Sequence, residues 1–133
     1  MNTIQDLVRQ LNLSAHLEGG YFKEHARFDR KIRFGRDDGT ESNKLYSSGT
    51  SIYYLLGSWT LGHFSAWHRL KSGLEKMWYF HAGVPLTIYW LHNDGTLESG
   101  QLGLGYGSSP QILVTPAKRS CPPFGVIPAS GAR

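Results

Sequence analysis

The chain has 133 residues, 40% of them hydrophobic and 18% charged, with a net charge of +4. That is one domain's length and enough to bury a core, which excludes a disordered chain, and no apolar run approaches the length that spans a bilayer. The single cysteine, Cys121, excludes an internal disulfide and a cysteine-rich zinc site, and it points to a reducing, cytoplasmic compartment.

Met1 to Leu11 lacks the apolar block of a secretory signal. Thr3 to Leu11 is predicted to form one short helix. Thr3 is a fair N-cap, Asp6 stands three residues later, and Ile4, Leu7, Val8 and Leu11 fall on one apolar face. This helix reads as a lid on the domain edge. After it the helical period ends. Gly19-Gly20 signals a turn, and Tyr21 opens a strand.

The segment from Lys23 to Lys44 carries much of the basic charge. It contains neither a basic helix nor a zinc finger, so it reads as a solvated loop and no nucleic-acid partner is expected. Asp37-Asp38-Gly39-Thr40 and Ser47-Ser48-Gly49 are turn chemistry. Ser51 to Leu56 is rich in β-formers and reads as a strand. Further strands are predicted at Ala66–Leu70, Lys76–Ala82 and Leu86–His92. Asn93-Asp94-Gly95-Thr96 then suits a hairpin turn, followed by strands at Leu97–Leu104 and Gln111–Thr115. Short strands at this spacing predict an all-β sandwich or barrel.

The richest stretch for chemistry runs from Gly62 to His68 and on through Glu75, Trp78, His81 and Gly83. On a strand, residues two apart share a face, so a histidine pair with one residue between can aim both rings into a barrel. A carboxylate on the next strand would complete a metal site.

His16-Leu17-Glu18-Gly19-Gly20-Tyr21-Phe22, Ser51 to Leu56, Trp67-His68-Arg69-Leu70 and Trp78 to Leu86 follow one another in this order. Together they resemble a small single-domain cupin subfamily, related in fold to the sugar-nucleotide epimerases of rhamnose synthesis. The resemblance runs from about Leu11 to Pro116. It implies an all-β, cupin-type jelly-roll β-barrel with a short N-terminal helix, commonly a homodimer, with one small-molecule pocket per barrel.

The chain departs from the family pattern in two places. The second ligand position of the histidine pair is Leu70, which cannot coordinate a metal. Aligned backwards from Trp78, the acidic ligand position falls on Lys76, with Glu75 one residue away. Lys76, Trp78 and Phe80 share one face; Glu75, Met77, Tyr79 and His81 share the other. The family register sends the first set into the pocket, and a one-residue slip would send Glu75 and His81 instead. The first register is expected. The second departure is the end: beyond Ala117 the chain leaves the family pattern, and Cys121-Pro122-Pro123 with a Gly/Ala/Ser ending reads as a tail without strands. The expected division is a barrel domain at residues 1–117 and an atypical tail at 118–133, as from a truncation, splice variant or frame change.

The expected site follows. His68 is the candidate general base, since neutral imidazole titrates near working pH. Tyr53 and Glu24 are further catalytic candidates, and Tyr54 is an alternative to Tyr53 as proton donor. Tyr54, Trp78, Phe80, Lys76 and Arg69 are candidate ligand-binding residues. Glu18 with its two glycines reads as a loop-fixing element, and His16 as a weaker candidate. No cofactor is firmly implied; a divalent metal would need His68, Glu75 and His81. The leading function is a small-molecule pocket with isomerase- or epimerase-like chemistry on a sugar-derived or other polar metabolite. A non-catalytic binding or dimeric interaction module and a metal-dependent enzyme are the alternatives.

Overall fold

The capping box at the N-terminus forms as the sequence dictates. In the computed structural model, which describes residues 3–35, 38–57, 65–69, 74–92, 94–114 and 123–128, helix α1 spans Ile4–Gln10. The Thr3 hydroxyl accepts from the Asp6 amide at 3.1 Å, and the Asp6 carboxylate accepts from the Thr3 amide at 2.9 Å. Ile4 rests against Gly57, where a Cβ would collide with it, so the helix closes over the end of the strand that precedes Gly57.

The contacts divide the chain into two compact units, Met1–Ser65 and Ala66–Arg133. In the first, β1 (Ser14–Ala15), β2 (Tyr21–Arg27) and β5 (Thr50–Leu55) form an antiparallel sheet in the order β1-β2-β5. β3 (Lys31–Ile32) and β4 (Tyr46–Ser47) make a small separate pair. Tyr21 faces Leu55, Phe22 faces Tyr54, and Glu24 faces Ile52; a bulge at His25 then shifts the register, so that Ala26 faces Ser51. Gly20 has φ +72°, and a Cβ there would lie 2.6 Å from the Leu55 carbonyl oxygen. Only glycine fits that approach.

The second unit holds β6 (Ser65–Arg69, starting at the unit boundary), β7 (Lys76–Tyr79), β8 (Leu86–Leu91), β9 (Leu97–Leu102), β10 (Gln111–Val114) and β11 (Pro123–Pro128). Their sheets are β7-β10 and β6-β11-β8-β9. The predicted hairpin joins β8 to β9. Asp94 accepts from the Thr96 amide at 2.8 Å, Gly95 takes φ +85°, and His92 donates its amide to Thr96 at 2.8 Å. Ile88, Leu102 and Val114 are fully buried and form the core of this unit with Trp78.

One expectation is overturned. The segment read as a strandless tail contributes β11, which pairs antiparallel with β8 from Phe124↔Trp90 to Pro128↔Leu86 and lies between β6 and β8. Its flanking prolines and glycine weigh against a strand in composition, but β8 has a ladder of amides and carbonyls to satisfy, and this segment supplies the partner. The predicted turns at Gly62 and at Ser72-Gly73, together with Leu70, Lys118, Arg119 and Cys121, lie outside the described residues.

Candidate functional site

Strand β7 decides which side chains of the second unit face inward. Burial alternates along it: Trp78 is 8% exposed, whereas Met77 is 43% and Tyr79 57% exposed. Lys76 and Phe80, on the parity of Trp78, are half-buried, while Glu75 and His81 are exposed. The pairing agrees. Ile112 and Val114 of β10 stand opposite Trp78 and Lys76, with Val114 fully buried. The register is therefore the one that groups Lys76, Trp78 and Phe80. The Lys76 ammonium lies over the Trp78 ring, 4.6 Å from its centroid. A cation has been carried onto a largely buried aromatic face, at the position where the resemblance places an acid.

Glu75 and His81 do not join this face. Among the described residues no group of three His, Cys, Asp or Glu side chains could hold a metal. His68 and Arg69 run in β6, but their side chains lie outside the described residues.

In the first unit the two tyrosines of β5 separate by parity. Tyr53 is 36% exposed, and its ring tilts against His25 at 5.0 Å. Tyr54 faces the other way and is half-buried. It donates its hydroxyl to the Gly19 carbonyl at 2.6 Å and is hydrogen-bonded to Ser65, which is buried. Since the phenol proton goes to Gly19, Ser65 is the donor to the phenol oxygen. Burial pushes the Tyr54 hydroxyl above its ordinary pKa; the Ser65 bond works against this, and the Glu18 charge adds to it.

The loop between β1 and β2 brings two more groups to Tyr54. His16 meets the Phe22 ring edge-on at 4.8 Å and the Tyr54 ring at 5.6 Å. Its Nδ1 accepts from the Glu18 amide at 3.0 Å, so the neutral ring carries its proton on Nε2. Both His16 and Glu18 are half-buried. Sequence reasoning placed Glu18 as a loop-fixing residue and ranked His16 low. The signal that unites them is the glycine pair, whose positive φ angles of 108° and 72° fold the loop back on itself.

Glu24 stands one pair further along the face of Phe22 and Tyr54. It is exposed and ion-paired with Arg27, which donates from both Nε and Nη2. A third cluster, unassigned from sequence, sits on the β8–β9 hairpin. The Glu98 carboxylate accepts from the Trp90 indole at 2.6 Å, and His92 Nε2 lies 3.1 Å from the same oxygen. These two contacts, His92 first and Trp90 second, hold Glu98 below the usual carboxylate range.

The family follows from comparison with known proteins. The model of a cupin superfamily family (DUF985) matches residues 5–120, and the chain belongs to that family. Its all-β fold, with one short helix among the described residues, is of the jelly-roll class. The crystal structure of protein SO0799 from Shewanella oneidensis is similar, with 33% identity and a TM-score of 0.74 over 96% of this chain and 70% of that one. A hypothetical protein from Leishmania major is similar at 25% identity and a TM-score of 0.76, over 98% of this chain and 73% of that one. No curated protein matches the chain. Among the described residues no helix is long and apolar enough to cross a membrane.

Proposed function

We propose that this cupin binds a small polar metabolite bearing an anionic group, with Lys76 as the charge-reading residue and Trp78 and Phe80 as the apolar wall beside it. The observation that carries this reading is the Lys76 ammonium over the Trp78 ring. Placing a cation on a largely buried face costs hydration energy, and an aromatic ring offsets only part of that cost. A ligand carboxylate or phosphate is the kind of group that engages such an ammonium through a charge-assisted hydrogen bond. The lysine at the acid position and the outward Glu75 and His81 count against the metal-dependent reading, which metal analysis of the purified protein tests. Stoichiometric iron, nickel or zinc would reinstate it.

Isomerase- or epimerase-like action on such a metabolite is the enzymatic form of this proposal. His68 is the base in this reading. A thermal-shift screen with hexose phosphates, uronic acids and neutral hexoses, followed by prolonged incubation with each stabilising compound, separates the alternatives. Stabilisation by anionic members with conversion supports an enzyme that uses His68, and conversion should then fail in His68→Ala. Stabilisation without conversion supports a binding module. Silence of all anionic members would defeat the proposal.

We take the working form to be a cytoplasmic homodimer. The single cysteine supports the compartment. The exposed apolar trio Met77, Tyr79 and Leu113 on the outer face of β7 and β10 supports self-association.

A further inference from the structure

We propose that His92, on the β8–β9 hairpin, is a general base that activates water toward an uncharged ester or lactone, with Nδ1 as its working atom and Glu98 and Trp90 as positioning residues. The site is separate from His68 and does not depend on the reading of Lys76.

Three side chains in contact set the imidazole. The Trp90 indole donates to Glu98 Oε2 at 2.6 Å, and His92 Nε2 lies 3.1 Å from that same oxygen. Nε2 is buried and has no in-line hydrogen bond among the described residues, so the carboxylate is the acceptor to which its proton turns. The neutral ring then keeps its proton on Nε2 and its lone pair on Nδ1. Contacts of this kind are often out of line without substrate and tighten when it binds. The Glu98 charge steadies the imidazolium that forms when Nδ1 takes a proton, the arrangement in which a base is itself oriented by a further group. Backbone bonds fix the ring's origin: the His92 amide donates to Thr96 at 2.8 Å, and the Gly95 amide donates to His92 at 3.0 Å.

The side of the hairpin matters. Ile88, Trp90 and His92 alternate onto one face, and Gly100 and Glu98 stand opposite Ile88 and Trp90 on β9. Ile88 is fully buried, whereas the side chains of His92 and Glu98 are 28% and 53% exposed, so the face runs from core to solvent and the pair sits at its open end. The Trp90 ring lies over Gly100, where a Cβ would stand 3.3 Å from it, and Ile112 approaches the same point at 3.1 Å. The indole is thus held at both edges, and the Glu98 oxygen is held with it. A pair that only closed the hairpin would sit as well on the outer face, with no imidazole nitrogen buried. The charges select the substrate. Asp94 acts electrostatically on both Glu98 and His92, so two carboxylates turn anions away and favour an uncharged ester or lactone. In the step, Nδ1 takes a proton from water as the water oxygen bonds to the acyl carbon. The bond from that carbon to the leaving oxygen breaks with its electron pair, and the proton passes from Nδ1 to the leaving oxygen or to solvent.

The test is hydrolysis of p-nitrophenyl acetate by the full chain, read as released p-nitrophenolate. The probe is uncharged and owes nothing to Lys76, so its outcome is independent of the anion reading. The wild type should be faster than His92→Ala by about tenfold or more, a modest effect for a positioned base. Added imidazole should restore part of the rate to His92→Ala. Glu98→Gln keeps the size of the side chain and an acceptor for the Trp90 N–H but removes the charge. Its kcat should fall with KM unchanged, and Glu98→Asp should recover part of the loss, a pattern that damage to the hairpin would not give. His25→Ala removes an exposed imidazole of the first unit and should leave the rate unchanged. A His92→Ala rate equal to that of the wild type, an undiminished rate in Glu98→Gln, or an equal loss in His25→Ala would overturn the proposal.

Discussion

Trp78 and its two neighbours on β7 divide the work of a strand between core and surface. Replacing Trp78 with alanine removes a large side chain from a buried position beside Val114 and should cost about 3–5 kcal/mol. Met77→Ser and Tyr79→Ser, on the face exposed in the single chain, should cost clearly less than this when measured at protein concentrations too low for self-association. Urea unfolding of the three variants checks this; equal losses would mean that the face assignment is wrong. Tyr54 gives a second residue-level expectation. Its folded pKa is raised, so the native state keeps the phenol proton where the unfolded chain has lost it. The stability this contributes is complete below the unfolded value near 10 and is lost as pH rises through the folded value. Tyr54→Phe should therefore be less stable near neutrality, by roughly 1–2 kcal/mol for its lost hydrogen bonds. It should also show a shallower alkaline decline, which thermal melts across pH 8 to about 11.5 would reveal. The choice between Tyr53 and Tyr54 was not legible in the sequence, because two adjacent aromatics on a strand are equivalent until one face is known to be buried.

At the scale of elements, what could be read locally was read. The Thr3–Asp6 box and the Asp94-Gly95 turn are short-range chemistry, and both form as expected. The register of β7 was expected only through the family alignment on Trp78, since parity alone leaves a face with Trp78 and Phe80 against a face with Met77 and Tyr79. Strand β11 was not legible. Its pairing with β8 joins segments far apart in sequence, and no local signal announces a partner that distant. The His16–Glu18–Tyr54 cluster was hidden for a related reason: two positive-φ glycines and a cross-strand pair assemble it. The insertion of β11 has a direct consequence. Ending the chain before Pro123 would leave β6 without its neighbour and bare an edge of β8. Such a variant should lose cooperative unfolding or aggregate, as judged by thermal scans and light scattering. A truncated protein with the melting behaviour of the full chain would show that β11 is dispensable.

For the whole molecule, family membership fixes the class of fold but no reaction, and function rests on a few side chains. Self-association is checked by light scattering: Met77→Glu with Leu113→Glu should shift a dimer to monomer, and an unaltered mass would remove this face as the interface. The central claim is that Lys76 confers preference for an anionic ligand. Calorimetry on a matched pair, a hexose and its phosphate drawn from the compounds that stabilise the protein, against wild type and Lys76→Met, tests it most directly. The account expects the phosphate to bind about tenfold or more tightly to the wild type, and the advantage to vanish in the variant. Equal affinities for the two compounds in the wild type, or an advantage that survives loss of the ammonium, would contradict it.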